Sequence, residues 1–141
     1  MIDDETGKGI CVIDLDTVMP GSPLYDFGDA VRFGANPAAE DERDLSKLCI
    51  DLDIYDRFVA GYLDSVRGVL TPEEVDYLSF SAKLMTFEYG MRFLTDHLNG
   101  DVYYKTHREN HNLDRCRTQF TMVADMEAKH DRMEEIVNRH R

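Results

Sequence analysis

The chain has 141 residues and a formal net charge of −12, with 43% hydrophobic and 31% charged residues, the balance of an ordinary globular chain. Its length supports one domain, or a large piece of one, with a core of its own. The negative charge argues against a nucleic-acid backbone or an anionic membrane surface as partner, and no apolar run approaches the length of a membrane span.

Met1-Ile2-Asp3-Asp4-Glu5 has none of the features of a secretory signal. Asp3 to Gly9 reads as a polar turn, the bend of a hairpin whose first arm is short. Gly9 to Asp29 then runs GICVIDLDTVMPGSPLYDFGD. Ile10, Val12 and Ile13 predict a short strand buried on at least one face, with Asp14 and Asp16 at its exit. Carboxylates in that position call for a positive partner, either a metal ion or a basic side chain.

The break at Met19 to Pro23 precedes a helix expected from about Tyr25 to Phe33, stopped by Gly34-Ala35-Asn36-Pro37. Ala38 to Ser46 reads as a charged, exposed loop. Ile50, Leu52 and Ile54 alternate with Asp51, Asp53 and Tyr55, which suggests an extended piece before a helix to about Val69. Thr71-Pro72-Glu73-Glu74 is the clearest local signal: a Thr cap, Pro at the first helical position, and Glu at the capping-box position. The helix it opens is expected to reach Leu98, where Asn99-Gly100 ends it. A last helix is expected from about Asn112 to Asn138, with Leu113, Cys116, Phe120, Val123, Met126, Met133 and Val137 near heptad spacing. No internal repeat or low-complexity tract interrupts this order. The fold class is therefore mainly α with a short β-hairpin at the N-terminus. Three scattered cysteines, Cys11, Cys49 and Cys116, read as reduced core thiols of a cytoplasmic protein.

An aspartate pair after a hydrophobic strand serves two chemistries. Haloacid-dehalogenase-like phosphatases use hydrophobic-D-x-D-G-T. Asp14-Leu15-Asp16 fits that pattern, but Thr17-Val18 stands where Gly-Thr is needed, and the helical remainder lacks the further parallel strands of that fold. In kinase-like phosphotransferases the strand-end Asp holds the magnesium that bridges the nucleotide phosphates. Val12-Ile13-Asp14, Gly21-Ser22-Pro23 and Tyr25-Asp26-Phe27-Gly28-Asp29 resemble the second motif of the aminoglycoside phosphotransferase superfamily. The wording from Asp14 to Gly21, with Tyr89 to Leu98 and Gly100 to Tyr104, is most similar to its N-acetylhexosamine kinase branch. The resemblance reaches to about residue 120 and is most specific in the first thirty.

That resemblance implies the helical C-lobe of a protein-kinase-like phosphotransferase, with residues 1–24 as hairpin and metal-binding loop and 25–141 as the helical sugar-binding part. It implies ATP- and Mg2+-dependent phosphorylation of a sugar hydroxyl, the anomeric one of an N-acetylhexosamine. Asp14 and Asp16 would serve the metal, Asp26 would anchor the catalytic loop, and Arg92 and Tyr103 would reach hydroxyl or acetamido groups. The family's catalytic loop, His/Asn-x-Asp-x-x-x-x-Asn, and its Gly-rich nucleotide lobe lie upstream of this strand. No His-x-Asp and no Gly-x-Gly-x-x-Gly occurs in the chain, so it reads as a part that is inactive by itself. A non-catalytic sugar-binding or interaction module is the alternative.

Each of these residues has a purely structural alternative. Asp14 caps a turn or pairs with Arg32, Asp16 supports a turn, and Asp26 caps the following helix. Arg92, four residues from both Glu88 and Asp96, stands in a solvated ion-pair ladder. His107 and His111 are spaced for a zinc site but lack a third ligand, and a polar helix start explains them as well. The strand bearing Ile10 to Ile13, uncovered at its edge, predicts a homodimer.

Overall fold

Six α-helices make the fold, described over residues 1–141 in a computed structural model. They are α1 (Pro23–Gly34), α2 (Leu52–Ser65), α3 (Pro72–Asp76), α4 (Leu78–Leu98), α5 (His111–Ala128) and α6 (His130–His140), with one 3-10 turn at Leu45–Lys47. The mainly helical expectation holds.

Local chemistry places most of the starts. Ser22 caps α1, its hydroxyl accepting from the Leu24 amide at 3.4 Å, and Pro23 takes the first helical position. At α3 the expected box forms: the Glu74 amide donates to Thr71 Oγ1 at 3.2 Å and the Thr71 amide to Glu74 Oε2 at 2.8 Å. Asp51 accepts from the amides of Asp53 and Ile54, so the helix begins at Leu52 and the expected extended piece ends before it.

Two long helices expected as single rods are bent. Tyr77 (φ −92°, ψ 1°) separates α3 from α4, and Lys129 (φ −106°, ψ 8°) separates α5 from α6. At the second bend a side-chain pair grips a distant strip of backbone. Ile50 N–H donates to Asp125 Oδ2 at 2.7 Å, and Lys129 Nζ donates to the Ile50 carbonyl at 3.1 Å. The turn lets Met133, Ile136 and Val137 of α6 reach α2 instead of running on into solvent.

The core joins α1, α2, α4, α5 and α6 around Phe27, whose ring meets those of Tyr55, Phe58 and Tyr62 at centroid distances of 5.0–6.4 Å. Burial pushes the Tyr55 hydroxyl up to about 12, against the opposing hydrogen bond with Ser79. α4 is the central rod, packed along α1 and α5. Two glycines set those approaches. A Cβ on Gly28 would stand 2.5 Å from the Ser81 carbonyl oxygen, and one on Gly90 would stand 2.7 Å from the Phe120 ring.

The N-terminal stretch departs from the expected hairpin. Only Ile2 and Gly9 form an antiparallel bridge, closing a turn in which the Asp3 carboxylate accepts from the Thr6 amide and hydroxyl. Ile10, Val12 and Ile13 are 59–78% exposed and belong to no strand. A strand needs a ladder on one side and a core on a face, and here one bridge supplies the first and nothing the second. Cys11 is exposed for the same reason and Cys49 is half-buried, so only Cys116 is a core thiol. These residues form no parallel sheet, whereas a haloacid-dehalogenase-like fold is built on one. No helix is long and apolar enough to cross a membrane.

The two glycine contacts predict different responses to a methyl group. Alanine at either site brings a helix-propensity gain of up to about 1 kcal/mol. At Gly28 the obstacle is backbone, which cannot move aside, so Gly28→Ala should destabilise by about 1–3 kcal/mol net. At Gly90 the obstacle is a half-buried ring that can rotate away, so Gly90→Ala should be milder. Urea unfolding monitored by circular dichroism ranks the two.

Candidate functional site

The end of α4 carries the most elaborated polar structure in the molecule. Beyond Leu98, Gly100 (φ 93°) and Asp101 (φ 58°) are left-handed and turn the chain back along its own helix. The returning segment is held by Asp96. Its Oδ1 accepts the amides of Val102 at 3.0 Å and Tyr103 at 2.8 Å, and its Oδ2 accepts the amide of Tyr104 at 3.0 Å. Asn112 of α5 donates one amide hydrogen to Asp96 Oδ2 and the other to Asp101 Oδ1, both at 2.8 Å. Burial pushes the Asp96 pKa up, but these donors outweigh it and hold the carboxyl below its ordinary range.

The segment so held forms one wall of a cavity of about 480 Å³, and α4 forms the other. Arg92 and Tyr103 both line it, with Glu88, Asp96 and Tyr104. Arg92 pairs only with Glu88, at 3.7 Å, because Asp96 has turned inward to the loop. The expected ladder is therefore half formed, and the guanidinium keeps donors free. It lies 5.3 Å from the ring centroid of Tyr89 and 5.9 Å from that of Tyr104. The Tyr103 and Tyr104 rings meet edge to face at 4.8 Å. The Tyr104 hydroxyl is buried without a partner, and burial raises its pKa against the opposing effect of Arg92. A forked cationic donor, a free phenol and aromatic faces suit a neutral ring bearing several hydroxyls.

The expected metal residues stand elsewhere. Asp14 (φ 64°) and Asp16 are exposed and do not line this cavity, and no group of three or more His, Cys, Asp or Glu side chains is assembled for a metal anywhere. Two carboxylates are hard oxygen donors of the kind magnesium takes, but they supply only a fraction of its six ligands. Arg32 is not their partner. It is buried, pairs with Asp29 and Glu40 at 2.9 Å each, and lies 3.9 Å over the Tyr89 ring. Asp26 is exposed in the first turn of α1, where its charge favours the helix dipole; the cap is Ser22.

The histidine pair is structural. His111 Nδ1 accepts the His107 amide at 3.2 Å, which leaves the proton on Nε2, 3.0 Å from Asp41. Both ring nitrogens are engaged, so the zinc reading falls. Arg108 joins this cluster through Asp114 and Asp41.

One cavity thus unites Arg92 with Tyr103, while Asp14, Asp16 and Asp26 lie outside it. A second groove, lined by Tyr25, Leu84, Met85 and Glu88, shares Glu88 with the first and runs from α1 along α4. Asp96, Asn112 and Tyr104 were not legible as site residues in the sequence. One signal was present: an acid two residues from the C-terminal end of a helix opposes the dipole and requires other donors. No protein-family model matches the chain.

The carboxylates of this region make stability depend on acid. Asp96 titrates below the ordinary value of 3.8, as do Asp41 and Asp114, where burial is outweighed by Arg108 with His111 and by Arg108 with Arg43 and Arg117. Their contribution is present above that ordinary value and is lost as pH falls through the lower folded values. Thermal melts from pH 7 to pH 2 should show Tm dropping below about pH 4. Asp96→Asn should lower Tm at neutral pH and make the acid-side slope shallower.

Proposed function

We propose that the cavity beside α4 binds a sugar, and that the chain is the helical C-lobe part of a cytoplasmic sugar kinase of the aminoglycoside phosphotransferase superfamily. The observation that supports this reading is the convergence of Arg92 and Tyr103 on one cavity. Those two residues are the ones to which the family resemblance assigns the sugar.

In this reading Arg92 donates its forked hydrogen bonds to ring hydroxyls or to the acetamido carbonyl of an N-acetylhexosamine. Tyr103 adds a hydroxyl, and the Asp96-held backbone keeps both walls in register. Asp14 and Asp16 would contribute carboxylate oxygens to Mg2+, which when bound would supply charge neutralisation for the nucleotide phosphates. Asp26 anchors the loop bearing the base that orients the acceptor hydroxyl. That base has no counterpart motif in these 141 residues; the second reading is a sugar-binding module without catalysis.

Protein NMR titration with N-acetylglucosamine and N-acetylgalactosamine tests the site. The resonances of Tyr103 and Tyr104 should shift with sugar, and Arg92→Ala should abolish the shift while Asp14→Ala leaves it intact. Absence of any shift with either sugar overturns the sugar site.

With ATP, magnesium and sugar together, the chain alone should transfer no phosphoryl group, since kinase catalysis is positioning and charge neutralisation. Turnover that disappears in Asp14→Ala would overturn the view that the chain is an incomplete catalyst. Magnesium added without nucleotide should bind weakly by calorimetry, because two carboxylates leave most of its shell to water; micromolar affinity would contradict the assignment.

A further inference from the structure

α4 is apolar on its outer side as well as its inner one. Leu78, Ala82 and Phe93 face the protein interior. The exposed positions from Tyr77 to Met91 are Tyr77, Phe80, Leu84, Phe87 and Met91, each between 39% and 57% exposed. None carries a charge, in a chain with 28 Asp and Glu. A surface helix ordinarily turns a polar face to water, and a helix apolar all round is one that is covered all round.

The spacing says what kind of cover fits. Steps of three and four residues from 77 through 80, 84, 87 and 91 continue to Leu94 and Leu98, a two-position heptad repeat along the whole rod. That period is complementary to another helix packed lengthwise, knobs into holes.

We propose that this face is the interface of a homodimer, in which α4 of each copy packs in parallel along α4 of the other. The second copy supplies a stripe of identical length and period, as a two-fold interface requires. Five large side chains, each roughly half exposed, offer about 100 Å² apiece. Tyr25, which shares a groove with Leu84, extends the patch onto α1. Two copies then bury about 1,000 Å² or somewhat more, the lower bound for a specific interface.

Charge selects the direction. Lys83 and Glu88 flank the stripe on opposite edges, five residues apart. In a parallel pair that offset places Lys83 against the partner subunit's Glu88, twice by symmetry. An antiparallel pair loses both contacts. Each now makes one long, solvent-facing ion pair that it would exchange for the new one: Lys83 with exposed Glu127 at 3.5 Å and Glu88 with Arg92 at 3.7 Å.

Sedimentation equilibrium on the full chain tests the interface. The wild type should be dimeric, and Phe80→Glu should raise the dimer Kd by at least about tenfold while helical content stays unchanged, since Phe80 is 44% exposed. Lys83→Glu should weaken the dimer, and the exchange Lys83→Glu with Glu88→Lys should restore it. In a Cys11→Ser background, Met91→Cys should form an intermolecular disulfide, because a parallel pair sets Met91 against its own counterpart whereas a fully overlapped antiparallel pair sets it against Leu84. A monomer at every concentration overturns the proposal, and so does a dimer indifferent to Phe80→Glu, which would place the contact on another surface such as the exposed Ile10 to Met19. A dimer sensitive to Phe80→Glu that Met91→Cys cannot cross-link overturns the parallel packing.

Discussion

A single carboxylate organises the functional end of this protein. Asp96 accepts three successive backbone amides and one side-chain amide, and in doing so it joins three separate pieces of chain: the end of α4, the returning segment 102–104, and the start of α5. A buried carboxylate is tolerated only when donors replace its water, and here each donor also does structural work. The amides fix where Tyr103 and Tyr104 stand, and the Asn112 contact fixes α5 against α4. Because Asp96 faces inward, it leaves Arg92 with one acidic neighbour instead of two. The cavity's shape and its free cationic donors thus share one cause.

The same logic recurs on the buried face of α5, which is polar to an unusual degree. His111, Asn112, Asp114, Thr118 and Gln119 are all buried. Thr118 donates to the Glu40 carbonyl at 2.5 Å, and Arg32 reaches Gln119 at 3.4 Å. Arg32 and Arg108 each serve more than one acid, and Asp29 and Glu40 keep Arg32 protonated despite burial. These contacts fasten the loop between α1 and α2 alongside its apolar anchors Ala35, Leu48 and Ile50. The excess negative charge of the chain lies outside this network, on solvated faces.

α4 connects the two surfaces of interest. Its last three turns line the cavity, its outer stripe faces solvent, and Glu88 belongs to the cavity and to the edge of the stripe. A partner drawing on Glu88 would therefore withdraw the one acid that now neutralises Arg92. Met91 too belongs to both surfaces, so ligand and partner would be coupled through these two side chains.

The features legible in the sequence are those decided within one or two helical turns. Thr71 with Glu74 and the Asn99-Gly100 stop are local hydrogen-bond and backbone choices, and the structure keeps both where the sequence places them; Ser22 with Pro23 is as local, but it starts α1 two residues before the expected Tyr25. The helical class follows from the same local signals. What local signals could not decide was settled by contacts between distant residues. The bend at Lys129 depends on Ile50, 79 residues away, and Arg32 finds Gln119 at a separation of 87. The alternation of Ile10, Val12 and Ile13 is a true pattern for a strand, yet a strand exists only where a second strand or a core meets it, and neither does here. Arg92 and Tyr103 were each nameable one at a time. That they share a cavity is a consequence of Asp96 turning toward the loop, because four donors close at hand outcompete one exposed guanidinium.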